Sequence, residues 1–99
     1  MIDVTGLNEI PNPDYIGVIK LTGSNSSETI NNFATTPSFP IRITFTDDNG
    51  LASVIFTAGD FRFPTPSTDC ILSTPELDFV EFRYNSLANK LIQTASEQY

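Results

Sequence analysis

Short strand-like segments separated by turn residues constrain this 99-residue chain more than any other feature. They recur roughly every eight to twelve residues, and no helical period persists. Residues 41–46 alternate apolar with polar side chains, and residues 53–57 are rich in β-branched and aromatic ones. Between them Asp47-Asp48-Asn49-Gly50 accepts a chain reversal, which predicts an antiparallel hairpin. We therefore expect an all-β fold, a small antiparallel β-sandwich or barrel-like domain.

The first fourteen residues differ from the rest of the chain. Pro11 and Pro13 remove ladder donors and favour extended backbone, so residues 1–14 are predicted to form an extended N-terminal arm. Residues 15–99 are then a single β-domain. The arm carries apolar side chains that we expect to bind a partner, since they would otherwise be exposed. These side chains are Ile2, Val4, Leu7 and Ile10.

The segment 77–84 gives the longest strand signal and is apolar on both faces. Leu77 and Phe79 alternate onto one face, and Val80, Phe82 and Tyr84 onto the other. Residues 15–21 have the same two-sided character. Phe79, Val80, Phe82 and Tyr84 are therefore expected in a subunit interface, which would cover the second face, or in the core of a monomer that sandwiches the strand. The first alternative makes the protein an oligomer, most simply a trimer.

Composition excludes several functions. The formal net charge of −7 disfavours nucleic acid as a partner, because phosphate binding requires clustered Lys and Arg. The chain has no histidine, so the usual base of serine and cysteine hydrolases is missing. The single cysteine, Cys70, cannot form an intrachain disulfide and is interpreted as a small buried hydrophobe rather than a nucleophile. No apolar run suggests a secretory signal or a membrane span.

The remaining candidates for chemistry are weak. Asp78 and Glu81 could act as paired carboxylates of a glycosidase-type enzyme, but their odd spacing places them on opposite faces of a strand. The 47–50 loop could hold calcium, yet it lacks the ligand alternation of an EF-hand and is better interpreted as a turn. We expect no enzyme, no cofactor and no metal.

The succession of segments 28–32, 39–45, 60–63, 77–84 and 91–93 resembles small β-modules of tailed-bacteriophage virions. Such modules occur as capsid decoration (cement) proteins and at the ends of tail fibres and spikes. The resemblance implies a homotrimer located in the virion. A decoration protein of this kind is seated on the major capsid protein or another virion protein, with its arm reaching across neighbouring subunits and stabilising the shell.

The two kinds of module predict different features. Fibre tips typically have a glycine turn followed by a tryptophan in the last hairpin, whereas residues 85–89 contain no glycine and Leu91 stands at the tryptophan position. A small separately encoded chain is also expected of a decoration protein. The alternative, a tail fibre or spike tip that binds a receptor or carbohydrate, would use Tyr99, Phe61 and Phe63 as contacts.

Overall fold

Alternating apolar and polar residues form strands along most of the chain. The computed structural model describes residues 1–11 and 17–99, and within those residues it contains strands and no helix, which confirms the all-β class. The strands are β1 (Ile2–Asp3), β2 (Glu9–Ile10), β3 (Val18–Thr22), β4 (Ser27–Ile30), β5 (Asn32–Phe33), β6 (Ile41–Phe45), β7 (Ser53–Thr57), β8 (Phe61–Arg62), β9 (Asp69–Leu72), β10 (Phe79–Asn85) and β11 (Lys90–Glu97).

The strands form one large sheet and two small ones. The large sheet has the order β1-β3-β6-β10-β11-β8 and curls into a half-barrel. The second sheet has the order β4-β7-β9, and β2 pairs with β5. Of the pairings among the described residues, five are parallel, namely β1 with β3, β3 with β6, β11 with β8, β2 with β5, and β4 with β7. The sheets are therefore mixed, where the sequence predicted antiparallel pairing throughout.

The prediction that residues 41–57 form an antiparallel hairpin is wrong. The 47–50 turn forms, with the Gly50 amide donating to the Asp47 carbonyl at 2.9 Å and a Gly50 φ of 97°. However, β6 lies in the large sheet and β7 in the three-stranded sheet, so the turn connects two sheets. The β3–β4 connection makes the same crossing, and the two arches stack because β3 pairs with β6 and β4 with β7. Stacked arches run in the same direction, which explains the parallel pairing of β3 with β6 and of β4 with β7.

Side chains from all sheets meet in one core. Its centre is a group of phenylalanines, in which the Phe61 and Phe82 rings lie 4.7 Å apart and Phe56 packs edge-on against Phe61 at 5.5 Å. Phe45 and Phe82 are both fully buried. Aromatic pairs at these separations add to the stabilisation that comes from burial alone.

The N-terminal residues belong to this core, which corrects the expectation that their apolar side chains are exposed. Val4 and Ile10 are fully buried, and Ile2 packs against the core. The backbone is paired as well, because β1 adds to β3 and β2 adds to β5. Leu7 alone of the four predicted partner-binding residues is exposed. Positions 12–14 of the predicted arm, and 15–16 of the predicted 15–21 strand, lie outside the described residues.

The strand β10 is buried mainly on one face. Val80 and Phe82 point into the core, whereas Phe79 and Tyr84 are partly exposed. The Phe79 ring is covered by the Arg42 guanidinium, whose central carbon lies 4.1 Å from the ring centroid. Glu81 holds that guanidinium in place, with its Oε1 atom 2.7 Å from Arg42 Nε. A charged side chain thus covers part of the face for which the sequence left a second subunit and the core of a monomer as alternatives.

Candidate functional site: an open seam between two strands

The two larger sheets leave a seam open along one side of the domain. β9 is an edge strand, and among residues 1–11 and 17–99 its only strand partner is β7. On the opposite side β11 pairs with β8 only at Leu91 and Ile92, so within the described part of the chain residues 93–97 also have an open edge. The space between the two edges is a cleft of about 450 Å³, which we call the seam cleft. Unpaired backbone N–H and C=O groups along such edges are available to another chain.

The seam cleft is polar and carries no cation. Its lining residues are Pro64, Ser67, Asp69, Cys70, Ile71, Gln93, Ser96 and Gln98. Asp69 is the one formally charged side chain in this set and is exposed. Burial raises the pKa of the Cys70 thiol, so the thiol is neutral and poorly suited to act as a nucleophile. The chemistry of the cleft is therefore hydrogen bonding and charge attraction rather than bond making.

The last residues of the chain are fixed beside the seam. β11 continues to Glu97, and the Tyr99 amide donates to Oδ1 of Asp78 at 2.6 Å. The other oxygen of the same carboxylate accepts from the Ser73 and Thr74 amides at 2.8 and 3.0 Å. Asp78 is completely buried. This one side chain therefore connects the chain end to the loop that follows β9.

The hydrogen bonds that Asp78 accepts depend on pH, because they require its carboxyl group to be ionised. Burial on its own would raise the pKa of the carboxyl group, but the amides of Tyr99, Ser73 and Thr74 outweigh burial and hold the pKa below its ordinary value of 3.8. A carboxylate with a depressed folded pKa stabilises the fold above its unfolded pKa. This stabilisation is lost as the pH falls through the lower, folded value.

Asp78→Asn is expected to lower the free energy of unfolding by roughly 1–3 kcal/mol at pH 7, because an amide presents an N–H group to backbone donors that then have no acceptor. Chemical denaturation at pH 7 and below pH 3 measures the effect, which should shrink at the lower pH. Asp48→Asn, in the exposed 47–50 turn, is the matched control and should change little. An equal loss for both variants, or a loss that does not depend on pH, would contradict the role assigned to Asp78.

A second outward feature is the tip of the β10–β11 hairpin. Leu87 is 98% exposed there. The turn around it is well defined, since the Ala88 amide donates to Asn85 Oδ1 at 3.0 Å and the Tyr84 hydroxyl donates to Asn89 Oδ1 at 2.8 Å. Asn89 takes a φ of 52°, a conformation that asparagine tolerates well. The hairpin thus presents one apolar side chain on a turn whose backbone is held by hydrogen bonds.

The other residues singled out in the sequence fall in different places. Phe61 and Phe63 are buried, so they cannot serve as the surface contacts expected of a fibre tip, whereas Tyr99 is 70% exposed. Asp78 and Glu81 do not face each other: Asp78 is held by backbone amides, and Glu81 pairs with Arg42. Within the described part of the chain, no group of three or more possible metal-ligating side chains comes together.

The sequence predicts neither the seam nor the hydrogen bonds that Asp78 accepts. The open edges depend on which strands pair across the two sheets, and the alternation of side chains along a strand does not specify its neighbours. The donors to Asp78 come from positions 73, 74 and 99, and the last of these is distant in sequence. The signal for Asp78 in the sequence is a carboxylate flanked by apolar residues in a strand-like segment.

Comparisons with protein-family models, with curated proteins and with solved structures found no match for this chain. In the part of the chain that the structure describes, no helix has the length and apolar character needed to cross a membrane.

Proposed function

We propose that the protein is a non-catalytic structural module of a bacteriophage virion, most simply a capsid decoration protein that binds the shell and stabilises it. The observation that carries the proposal is the seam cleft, which offers open backbone edges on both sides for attachment to another chain. The resemblance of the strand succession to virion β-modules supplies the virion context.

Two further features support attachment to a protein surface. Leu87 projects from a turn held by hydrogen bonds, and a preordered backbone loses little conformational entropy when such a side chain enters a pocket. The formal charge of −7 suits a partner with a basic surface. Since Val4 and Ile10 lie in the core, we assign attachment to the seam and the hairpin tip rather than to an N-terminal arm.

The homotrimer implied by the resemblance is part of the proposal. Exposed apolar side chains that a partner subunit could cover include Leu7 and Val18. Light scattering of the purified chain tests this part, and a monomer at micromolar concentration would remove the trimer from the proposal without affecting the attachment sites.

Adding the purified protein back to particles that lack it tests the stabilising function. Particles from a phage in which this gene is deleted should bind the protein and then release their genome at a higher temperature than undecorated particles. Leu87→Asp should bind more weakly, because it places a charge where an apolar contact is proposed. Particles that bind none of the intact protein would refute the proposal.

Leu77→Asp is the matched control for the Leu87 variant. Leu77 is also exposed, at 56%, and lies outside the hairpin tip. If both substitutions weaken binding equally, added negative charge alone explains the loss, and the role assigned to the hairpin tip is wrong.

A further inference from the structure

We propose that the seam cleft binds an extended segment of a partner protein that adds as a strand to the free edge of β9, with a basic residue opposite Asp69 and an apolar residue opposite Ile71. This inference deepens the proposed function, on which it rests for the identity of the partner as a virion protein. It also specifies a recognition pattern that can be tested without any virion.

The backbone of β9 sets the type of ligand. An edge strand has a row of N–H and C=O groups pointing away from its neighbour, and another extended chain satisfies them best. β9 spans four residues, so an added strand would pair over roughly 13 Å at about 3.3 Å per residue. An edge of this length suits a short linear segment, and it is too short to form a stable interface between two folded domains by itself.

The side chains of β9 set the sequence of the ligand. Cys70 and Leu72 face the core, whereas Asp69 and Ile71 are exposed on the other face. Directly opposed residues of paired strands share a face, so the ligand must place its outward side chains against Asp69 and Ile71. The residue between them lies on the inner face beside the buried Cys70, where an apolar side chain avoids burying a charge. The expected ligand pattern is therefore basic, apolar, apolar, read along β9 from Asp69.

The charge of the surroundings agrees with a basic ligand. None of the residues that line the cleft is Lys or Arg, and Asp69 is the carboxylate at the β9 end. The opposite wall offers the side chains of Gln93, Ser96 and Gln98. Gln98 Nε2 donates to Cys70 Sγ at 3.7 Å across the cleft, and a segment that pairs with β9 displaces this contact. A bound segment would thus be flanked by β9 and by amide and hydroxyl groups of β11.

Peptide titration of the ¹⁵N-labelled full-length chain tests the inference. The probes are acetyl-Thr-Lys-Val-Ile-Thr-amide, which matches a parallel strand, and acetyl-Thr-Ile-Val-Lys-Thr-amide, which matches an antiparallel one. One of them should shift the amide resonances of residues 69–73 and 93–98 in a saturable manner. Replacing its lysine with glutamate should weaken binding about fivefold or more, because like charges in opposed positions repel.

Backbone pairing has its own control. Two versions of the binding peptide, N-methylated at alternate amides in either phase, remove donors from one side of the strand or the other. One version should lose binding and the other should retain it, because only one side of an added strand faces β9. If both versions retain binding, strand addition to β9 is wrong; if both lose it, the segment pairs with the open edge of β11 as well as with β9.

Protein variants complete the test. Asp69→Asn should weaken binding of the lysine-containing peptide by about the same factor as replacing that lysine with glutamate does. Asp48→Asn should leave binding unchanged. If neither peptide shifts residues 69–73 at millimolar concentration, the inference is wrong. Add-back to particles separates this failure from that of the proposed function: decoration without peptide binding refutes only the strand-addition site, and peptide binding by a protein that does not attach to particles refutes only the virion function.

Discussion

Phe82→Ala is expected to lower the free energy of unfolding by about 3–5 kcal/mol, the usual cost of truncating a buried aromatic side chain. Phe82 is fully buried, and its ring lies 4.7 Å from Phe61 and 5.9 Å from Phe56. The substitution removes both contacts and leaves a cavity between sheets that cannot close without moving β10. Because small domains have a total stability of roughly 5–15 kcal/mol, the variant should be partly unfolded at 37 °C.

The same strand provides the matched control for this prediction. Phe79→Ala removes the same number of atoms from a partly exposed position, where the Arg42 guanidinium covers the ring. Its expected cost is about 1 kcal/mol, the order of a cation–π contact at an exposed site. Chemical denaturation of both variants measures the difference. Equal losses would show that β10 does not present Val80 and Phe82 to the core.

Deleting residues 1–11 is expected to prevent the remaining chain from folding. The deletion removes β1 and β2 and takes Val4 and Ile10 out of the core. It also removes the Gly6 amide that donates to Glu28 Oε1 at 2.9 Å, which leaves the buried Glu28 with fewer donors. Truncating a buried isoleucine alone costs about 2–5 kcal/mol, so the combined loss should exceed the stability of a domain of this size.

Circular dichroism and amide resonance dispersion of the truncated protein measure the outcome. Single substitutions refine it, with Ile10→Ala expected to cost about 2–5 kcal/mol and Leu7→Ala, at an exposed position, well under half of that. A truncated chain that unfolds cooperatively at the parental temperature would mean that the N-terminal residues form a separate arm after all.

The positions of the strands can be predicted from the sequence better than which strands pair with each other. Residues 41–46 and 53–57 are predicted as strands and contain β6 and β7, because alternation and β-branched residues are local signals. The turn between them was also predicted, but a tight cluster such as 47–50 can reverse a chain within one sheet or carry it to another. Long-range packing decides between these outcomes, and local residue types do not report it.

The strands within residues 1–10 are not predicted from the sequence, for a related reason. Pro11 and Pro13 indicate where ladder pairing stops, but they give no information about residues 1–10, which pair through two-residue strands too short to leave a pattern. The exposure of the seam likewise depends on the order of strands in two sheets. The sequence gives the residue types of Asp69 and Ile71, but it does not predict that they lie on a free edge strand.

The number of copies of this protein in purified virions tests the central claim most directly. Quantitative mass spectrometry of particles, calibrated against the major capsid protein, gives that number. A capsid decoration protein should be present in hundreds of copies per particle. A handful of copies would indicate a tail component, and complete absence from virions would contradict the account.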